Sequence, residues 1–84
     1  MNHLVIGQDY YFISNDDYAA FAAAIEAANM EIGDFGCFQV TQSGYAGYYF
    51  VIDQINEDEW DILSSFNSFT TIAVFESVQA NYLG

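Results

Sequence analysis

The chain contains no lysine and no arginine, and this absence constrains its fold more than any other feature of the sequence. Twelve aspartates and glutamates and one histidine give its 84 residues a formal net charge of −12 at neutral pH. An ordinary soluble domain has about a quarter of its residues charged, with both signs present. Salt bridges to Lys or Arg are excluded within this chain. Each carboxylate must therefore be balanced by solvent, backbone N–H groups, a metal ion or the cations of another molecule.

The rest of the composition predicts a folded domain. Hydrophobic residues make up 54% of the chain, including eight Phe, seven Tyr and one Trp. A disordered acidic tail carries far less apolar material. Because a chain of this length supports one hydrophobic core, we expect residues 1–84 to form a single compact domain.

The charge also excludes several classes of function. Direct binding to nucleic acid needs cations to neutralise phosphates, and docking on anionic lipid has the same requirement. The longest apolar run, Tyr18–Ile25, is far shorter than the roughly 20 residues of a membrane-spanning helix. The N-terminus lacks a positive signal-peptide region, and Cys37, the only cysteine, has no disulfide partner within the chain. We therefore expect a soluble cytoplasmic protein whose partner is basic.

Four runs of the sequence are typical of β-strands. The first, His3–Ile13, is interrupted at Gly7–Asp9 by either a bulge or a tight hairpin turn. Three more runs follow, Phe35–Gln42, Tyr48–Ile55 and Phe69–Val78. Ser43–Gly47 is a hairpin signal between the second and third runs. Tyr48–Ile52 is apolar at every position, which predicts a central strand.

Two segments between these runs predict helices. The first begins with Ser14 or Asn15 as its cap and continues to about Met30, and Gly33 is its stop signal. The second begins in Asn56–Glu59, which repeats the pattern of a cap followed by acids. Three apolar residues share one side of this short helix: Trp60, Leu63 and Phe66.

The predicted element order, β-α-β-β-α-β, resembles that of ferredoxin-like folds. This resemblance implies a small α+β domain with an antiparallel sheet and two helices on one face. Such folds host many unrelated activities, so the resemblance says nothing about function.

In that topology the first helix ends at the sheet edge where the second begins, and seven acids gather there. They are Glu31, Asp34, Asp53, Glu57, Asp58, Glu59 and Asp61. Asp16 and Asp17 form a secondary patch at the opposite edge, with Asp9 as a further candidate. Acids in the first turn of a helix complement its dipole, but Glu31 and Asp34 follow a helix C-terminus, where a cation is preferred.

Enzymatic and metal-dependent functions have little support. His3, the only histidine, is predicted to face solvent on a strand, and Cys37 lies in an apolar strand where a buried thiol is expected. Calcium is the main alternative for the second acidic run. Its candidate ligands are Asp53, Asn56, Glu57, Asp58, Glu59 and Asp61. The run lacks the spacing of an EF-hand loop, so we expect separate carboxylates with no metal, cofactor or catalytic residue.

A short chain without basic residues, with an aromatic core and acids along one edge, resembles the phage-encoded DNA-mimic inhibitors, which include anti-CRISPR and anti-restriction proteins. The resemblance implies that the carboxylates replace phosphates in the basic groove of a nucleic-acid-binding protein, most specifically the DNA (PAM) site of a CRISPR surveillance complex. The implied contact residues are Glu31, Asp34, Asp53, Glu57, Asp58, Glu59, Trp60 and Asp61. Trp60 either anchors the second helix in the core or lies at the rim of the interface with a protein partner. Two alternatives remain: an immunity or antitoxin module that caps a basic protein, and a calcium-binding or structural domain.

Overall fold

The computed structural model describes residues 2–52 and 56–83 and contains six strands and two helices. The strands are β1 (Asn2–His3), β2 (Asp9–Ile13), β3 (Cys37–Val40), β4 (Gly47–Phe50), β5 (Thr70–Ala73) and β6 (Gln79–Tyr82). The helices are α1 (Asn15–Ala27) and α2 (Glu57–Ser64), and a 3₁₀ turn spans Ile32–Phe35. The chain is a small α+β domain. Residues 53–55, the end of the predicted strand Tyr48–Ile55, lie outside the described part.

All strand pairs are antiparallel, and the strands are ordered β1-β6-β3-β4-β2-β5 across one sheet. This six-strand order is not ferredoxin-like, so that expectation was wrong. The predicted succession of elements covers only the middle of the chain, because β1 and β6 add two strands beyond β3. β4 lies between β3 and β2, as its continuous apolar sequence predicts.

Both helices lie against one face of the sheet and contact each other. Phe21 and Ile25 of α1 meet Leu63 of α2 over Ile13 and Phe50 of the sheet. These five side chains are almost completely buried. Burying an aliphatic or aromatic side chain of this size contributes about 1.5 to 3 kcal/mol. This apolar layer therefore joins the helices to the sheet without any ion pair.

The N-terminal run is neither a bulged strand nor a hairpin. β1 pairs with β6 near one end of the sheet, whereas β2 lies between β4 and β5 near the other end. Residues 4–8 must therefore cross the sheet, and they do so on the face opposite the helices. Leu4 is buried there against Tyr10 and Tyr49. The predicted turn at Gly7 is present, with a φ of +86° that favours glycine.

The C-terminal run is also divided, since the predicted strand Phe69–Val78 contains only the short strand β5. Four strand spacings of about 4.8 Å separate β5 from β6, or about 19 Å. Six residue steps at about 3.3 Å can just cover that distance. Residues 74–78 therefore cross the sheet with a bend at Glu76, and β6 follows as a strand that was not predicted.

The two crossing segments, residues 4–8 and 74–78, hydrogen-bond to each other. The amide of Leu4 donates to the Val78 carbonyl at 3.0 Å, and that of Val74 donates to the Gln8 carbonyl at 3.3 Å. Leu4, Val74 and Val78 turn inward and are buried. The segments thus form a cover over the second face of the sheet, and the sheet is apolar on both sides.

The ends of the helices follow local signals. Ser14 caps α1 by accepting from the Asp17 amide at 3.3 Å. The helix ends at Ala27, earlier than the predicted Met30, and Asn29 adopts the left-handed conformation with a φ of +59°. Asparagine tolerates this conformation better than most residues do, so the chain turns before it reaches Gly33. Neither helix in the described residues has the length and apolarity needed to cross a bilayer.

Gly47 at the start of β4 provides a test of the close packing on the covered face. A Cβ built at this position would overlap Cε2 of the Phe12 ring, whereas a Cβ at Gly44 meets nothing within 4 Å. Both glycines have positive φ values, +150° and +88°. Gly47→Ala must therefore displace the Phe12 ring, and we expect it to cost about 1 to 3 kcal/mol more stability than Gly44→Ala, where the added Cβ meets no atom.

Urea unfolding of the Gly47→Ala and Gly44→Ala variants measures this difference. Equal losses of stability would show that Phe12 does not pack against Gly47.

Candidate functional site

The first turn of α2 exposes a dense group of carboxylates. Asn56 is the N-cap, and its side-chain oxygen accepts from the Glu59 amide at 2.8 Å. Its amide nitrogen also donates to the Glu59 carboxylate, so this acid helps to close the cap. Glu57, Asp58 and Asp61 are exposed and make no side-chain hydrogen bond within the described residues. Three of the four acids are therefore available to another molecule.

The fold brings the C-terminal end of α1 to the end of the molecule where the chain leaves β4 toward α2. Residues 35–37 lead into β3 beside the exit of β4, where the Val51 amide donates to the Phe35 carbonyl at 2.8 Å. Glu31 is exposed just before the 3₁₀ turn that contains Asp34. Asp53 lies outside the described residues. Glu31 therefore lies close in the chain to the segment beside the exit of β4, and the gathering of Glu31 with the α2 acids stays a prediction.

Two further acids, which the sequence did not predict there, lie at this edge. Tyr11 lies opposite Phe50, so Asp9 at the start of β2 lies beside the exit of β4. The expectation that Asp9 marks the opposite edge was wrong, because that expectation treated residues 3–13 as one unit. Glu26 is exposed in the last turn of α1. We define the acidic edge as Asp9, Glu26, Glu31, Glu57, Asp58, Glu59 and Asp61.

In the secondary patch at the other edge, Asp17 has a structural role. The Asp17 carboxylate accepts a hydrogen bond from the Ser68 hydroxyl, which itself accepts from the Ser14 amide at 3.1 Å. Asp17 thus ties the start of α1 to the segment before β5. Asp16 is exposed beside it.

Trp60 packs against the sheet and is also partly exposed, so both interpretations of it stay open. Its ring packs edge-on against Tyr11 and Phe69, with centroids 5.5 and 5.7 Å away. Even so, 37% of the residue is exposed. The indole therefore anchors α2 to the sheet and also presents an aromatic surface to solvent.

Cys37 and His3, the two residues weighed for catalysis, lie in different environments. Cys37 is fully buried beneath the helices, and this burial raises the pKa of its thiol to about 12. A thiol with that pKa stays protonated at neutral pH and is a poor nucleophile. His3 is exposed in β1, with Nδ1 3.0 Å from the Ser77 hydroxyl. Among residues 2–52 and 56–83, no group of three or more His, Cys, Asp or Glu side chains is placed to hold a metal ion.

One acid on the covered face was not singled out from the sequence. The Tyr45 hydroxyl donates to the Glu76 carboxylate, which belongs to the second crossing segment. This hydrogen bond, together with the nearby negative charge, raises the pKa of Tyr45. A tyrosine in the β3–β4 hairpin thus holds the cover in place. The sequence separation of 31 residues explains why no local pattern indicated this pair.

Comparison with protein-family models, curated proteins and solved structures gives no match to this chain. Its function must therefore be inferred from its own geometry and charge.

The α2 acids can be divided into those that the fold uses and those that it does not. Asn56→Ala removes the acceptor for the Glu59 amide, and we expect a loss of about 1 kcal/mol in the free energy of unfolding.

Asp61 lies beyond the first turn, three and four residues after Asp58 and Glu57. Asp61→Asn relieves these like-charge pairs, and we expect a gain of about 0.2 to 0.5 kcal/mol.

Urea midpoints of the two variants and the parent chain measure both effects. A loss of stability in Asp61→Asn would mean that the fold depends on this carboxylate, and Asp61 would then be excluded as a residue held for binding.

Proposed function

We propose that the chain is an inhibitor protein that mimics DNA and blocks the nucleic-acid-binding site of a bacterial defence complex. Its preferred target is the DNA (PAM) site of a CRISPR surveillance complex. It acts by binding, without catalysis and without a cofactor. Its site of action is the cytoplasm of the host cell.

The observation that carries this proposal is the set of exposed α2 acids that the cap does not use. Side chains three and four residues apart on a helix have Cβ atoms about 5 to 6 Å apart. Asp61 is therefore separated by roughly this distance from both Glu57 and Asp58. Carboxylates at such spacing remain individually solvated. This arrangement favours a row of separate anionic groups over a cage around one cation, which needs oxygens at about 2.3 to 2.6 Å from the metal.

The chemistry of the target follows from this row. A nucleic-acid-binding groove uses lysine and arginine to neutralise phosphates and release their counterions. Carboxylates of the acidic edge would occupy the same cations, with arginine able to bind a carboxylate through two parallel hydrogen bonds. The chain has no lysine or arginine of its own that could compete with the partner's cations for these carboxylates. Trp60 adds an aromatic contact of the kind enriched at protein interfaces.

The first test identifies the target. The immobilised chain is incubated with a bacterial lysate at low salt, and bound protein is eluted with a salt step. The eluted protein is then purified, loaded with labelled duplex DNA and titrated with the free chain. We expect the chain to displace the DNA, with an affinity that falls steeply as salt is raised.

Two results would contradict mimicry. Recovery of a small basic toxin that does not bind DNA would favour the immunity alternative. Binding that leaves the DNA in place would place the contact outside the nucleic-acid groove.

A matched pair of variants tests the acidic edge. Asp58→Asn/Asp61→Asn and Asp16→Asn/Asp17→Asn remove the same number of charges by the same chemical change. We expect the first to weaken DNA displacement by at least about tenfold and the second to have a much smaller effect, since each lost charge-assisted hydrogen bond is worth about 1.5 to 3 kcal/mol.

Plaquing of a targeted phage on CRISPR-active strains that express each variant provides the readout for the preferred target. Urea midpoints confirm that both variants are folded. A stronger loss of inhibition in the Asp16/Asp17 variant would contradict the assignment of the acidic edge.

A further inference from the structure

The outer side of β5 carries backbone groups that can accept another strand. β5 is the last strand in the sheet order and pairs only with β2 within the described residues. The exposed row of N–H and C=O groups on an edge strand is a template for pairing with another chain. Natural edges are commonly guarded by charged residues, proline or a bulge. Residues 70–75 read Thr-Thr-Ile-Ala-Val-Phe and contain none of these guarding residue types.

Apolar surface flanks this edge on both faces of the sheet. On the helix side, Trp60 packs against Tyr11, which lies opposite Thr71 in the sheet. On the covered side, a groove of about 340 Å³ lies along the end of β5. Its lining includes Tyr45, Tyr49, Ile72, Val74, Phe75 and Glu76. Phe75 is 82% exposed, the most exposed of the large hydrophobic residues in the described structure.

We propose that the β5 edge is a docking site for an extended, basic segment of a partner protein. The segment pairs its backbone with β5, places an apolar side chain in the groove beside Phe75 and directs its lysines or arginines toward nearby carboxylates. Pairing of this kind obtains affinity from main-chain hydrogen bonds and specificity from pockets for alternate side chains.

The negative charge around the β5 edge determines which kind of segment can bind there. Asp9 is exposed opposite Ala73, and Glu76 follows β5 at the groove. Both carboxylates attract a cationic segment. A second copy of this chain would bring another net charge of −12 to the same edge without a single Lys or Arg. Like charges placed across an interface oppose such pairing. The site does not depend on nucleic-acid mimicry, because strand pairing and the groove do not use the α2 acids.

The probe for this site is a short capped peptide of alternating lysine and apolar residues. Alternate N–H groups of a paired strand point toward its neighbour. Two further peptides therefore carry N-methyl groups at alternate backbone nitrogens, one at the lysines and the other at the apolar residues. All three peptides have the same charge. Titration of each into the full chain is followed by amide chemical shifts and hydrogen exchange.

We expect shift changes and exchange protection in Thr70–Ala73, and at least about tenfold weaker binding for one N-methylated peptide than for the other. Equal binding of all three peptides would show attraction by charge alone and would overturn the proposal. Shift changes confined to the α2 acids would also overturn it, while leaving the proposed function intact.

A pair of variants tests the groove. Phe75→Ala removes an exposed ring at the groove, and we expect about tenfold weaker binding of the unmodified peptide. Leu83→Ala, at a position that is 44% exposed and follows β6, is the matched control and should bind normally. Equal binding by the two variants would overturn the role of the groove. Sedimentation of the chain alone as a dimer that Phe75→Ala dissociates would make a second copy the occupant and would overturn the basic-segment proposal.

Discussion

Apolar burial on both faces of one sheet holds this protein together, because the chain has no lysine or arginine with which to form a salt bridge to its carboxylates. The helices cover one face with Phe21, Ile25 and Leu63, and the two crossing segments cover the other with Leu4, Val74 and Val78. Among the described residues, every buried side-chain nitrogen or oxygen has a hydrogen-bond partner. Among the described carboxylates, those of Asp17, Glu59 and Glu76 contribute to this cohesion by accepting specific hydrogen bonds.

The features that the sequence predicted well are those determined by neighbouring residues. Ser14 and Asn56 act as helix caps within one turn of chain, and both helices begin where these caps predict. The apolar run at Tyr48–Ile52 predicts a central strand because such a run can be buried on both faces. The α2 acids are adjacent in sequence, so their grouping requires no knowledge of the fold.

The features that were missed depend on contacts between distant parts of the chain. Val74 and Val78 resemble a continuing strand by composition, yet they are buried because Leu4 crosses the sheet beside them. Asp9 joins the acidic edge only through the register of β2 with β4. No pattern local to residues 3–13 or 69–78 distinguishes a strand from a crossing segment, since both are extended and both alternate inward and outward residues.

These constraints divide the surface into two parts with different chemistry. The acidic edge presents carboxylates of which Glu59 alone takes part in a helix cap, and the β5 edge presents a strand without charged residues beside a mainly apolar groove. Asp9 lies at both edges. Both would attract a basic partner, the first through its cations and the second through an extended backbone. The two surfaces are separable by substitution, because the residues that carry the strand-edge site are not the α2 acids.

The central claim is that most carboxylates are kept for a partner's cations and repel one another in the free protein. The Cα atoms have a radius of gyration of 12.1 Å, a distance comparable to the Debye length of about 10 Å at 0.1 M salt. The direct measurement is the unfolding temperature of the free chain as a function of ionic strength, with sodium chloride and choline chloride compared at equal concentration. We predict that the unfolding temperature rises with either salt, because screening weakens the repulsion within the folded state. An unfolding temperature that is constant or falls with ionic strength would contradict the claim.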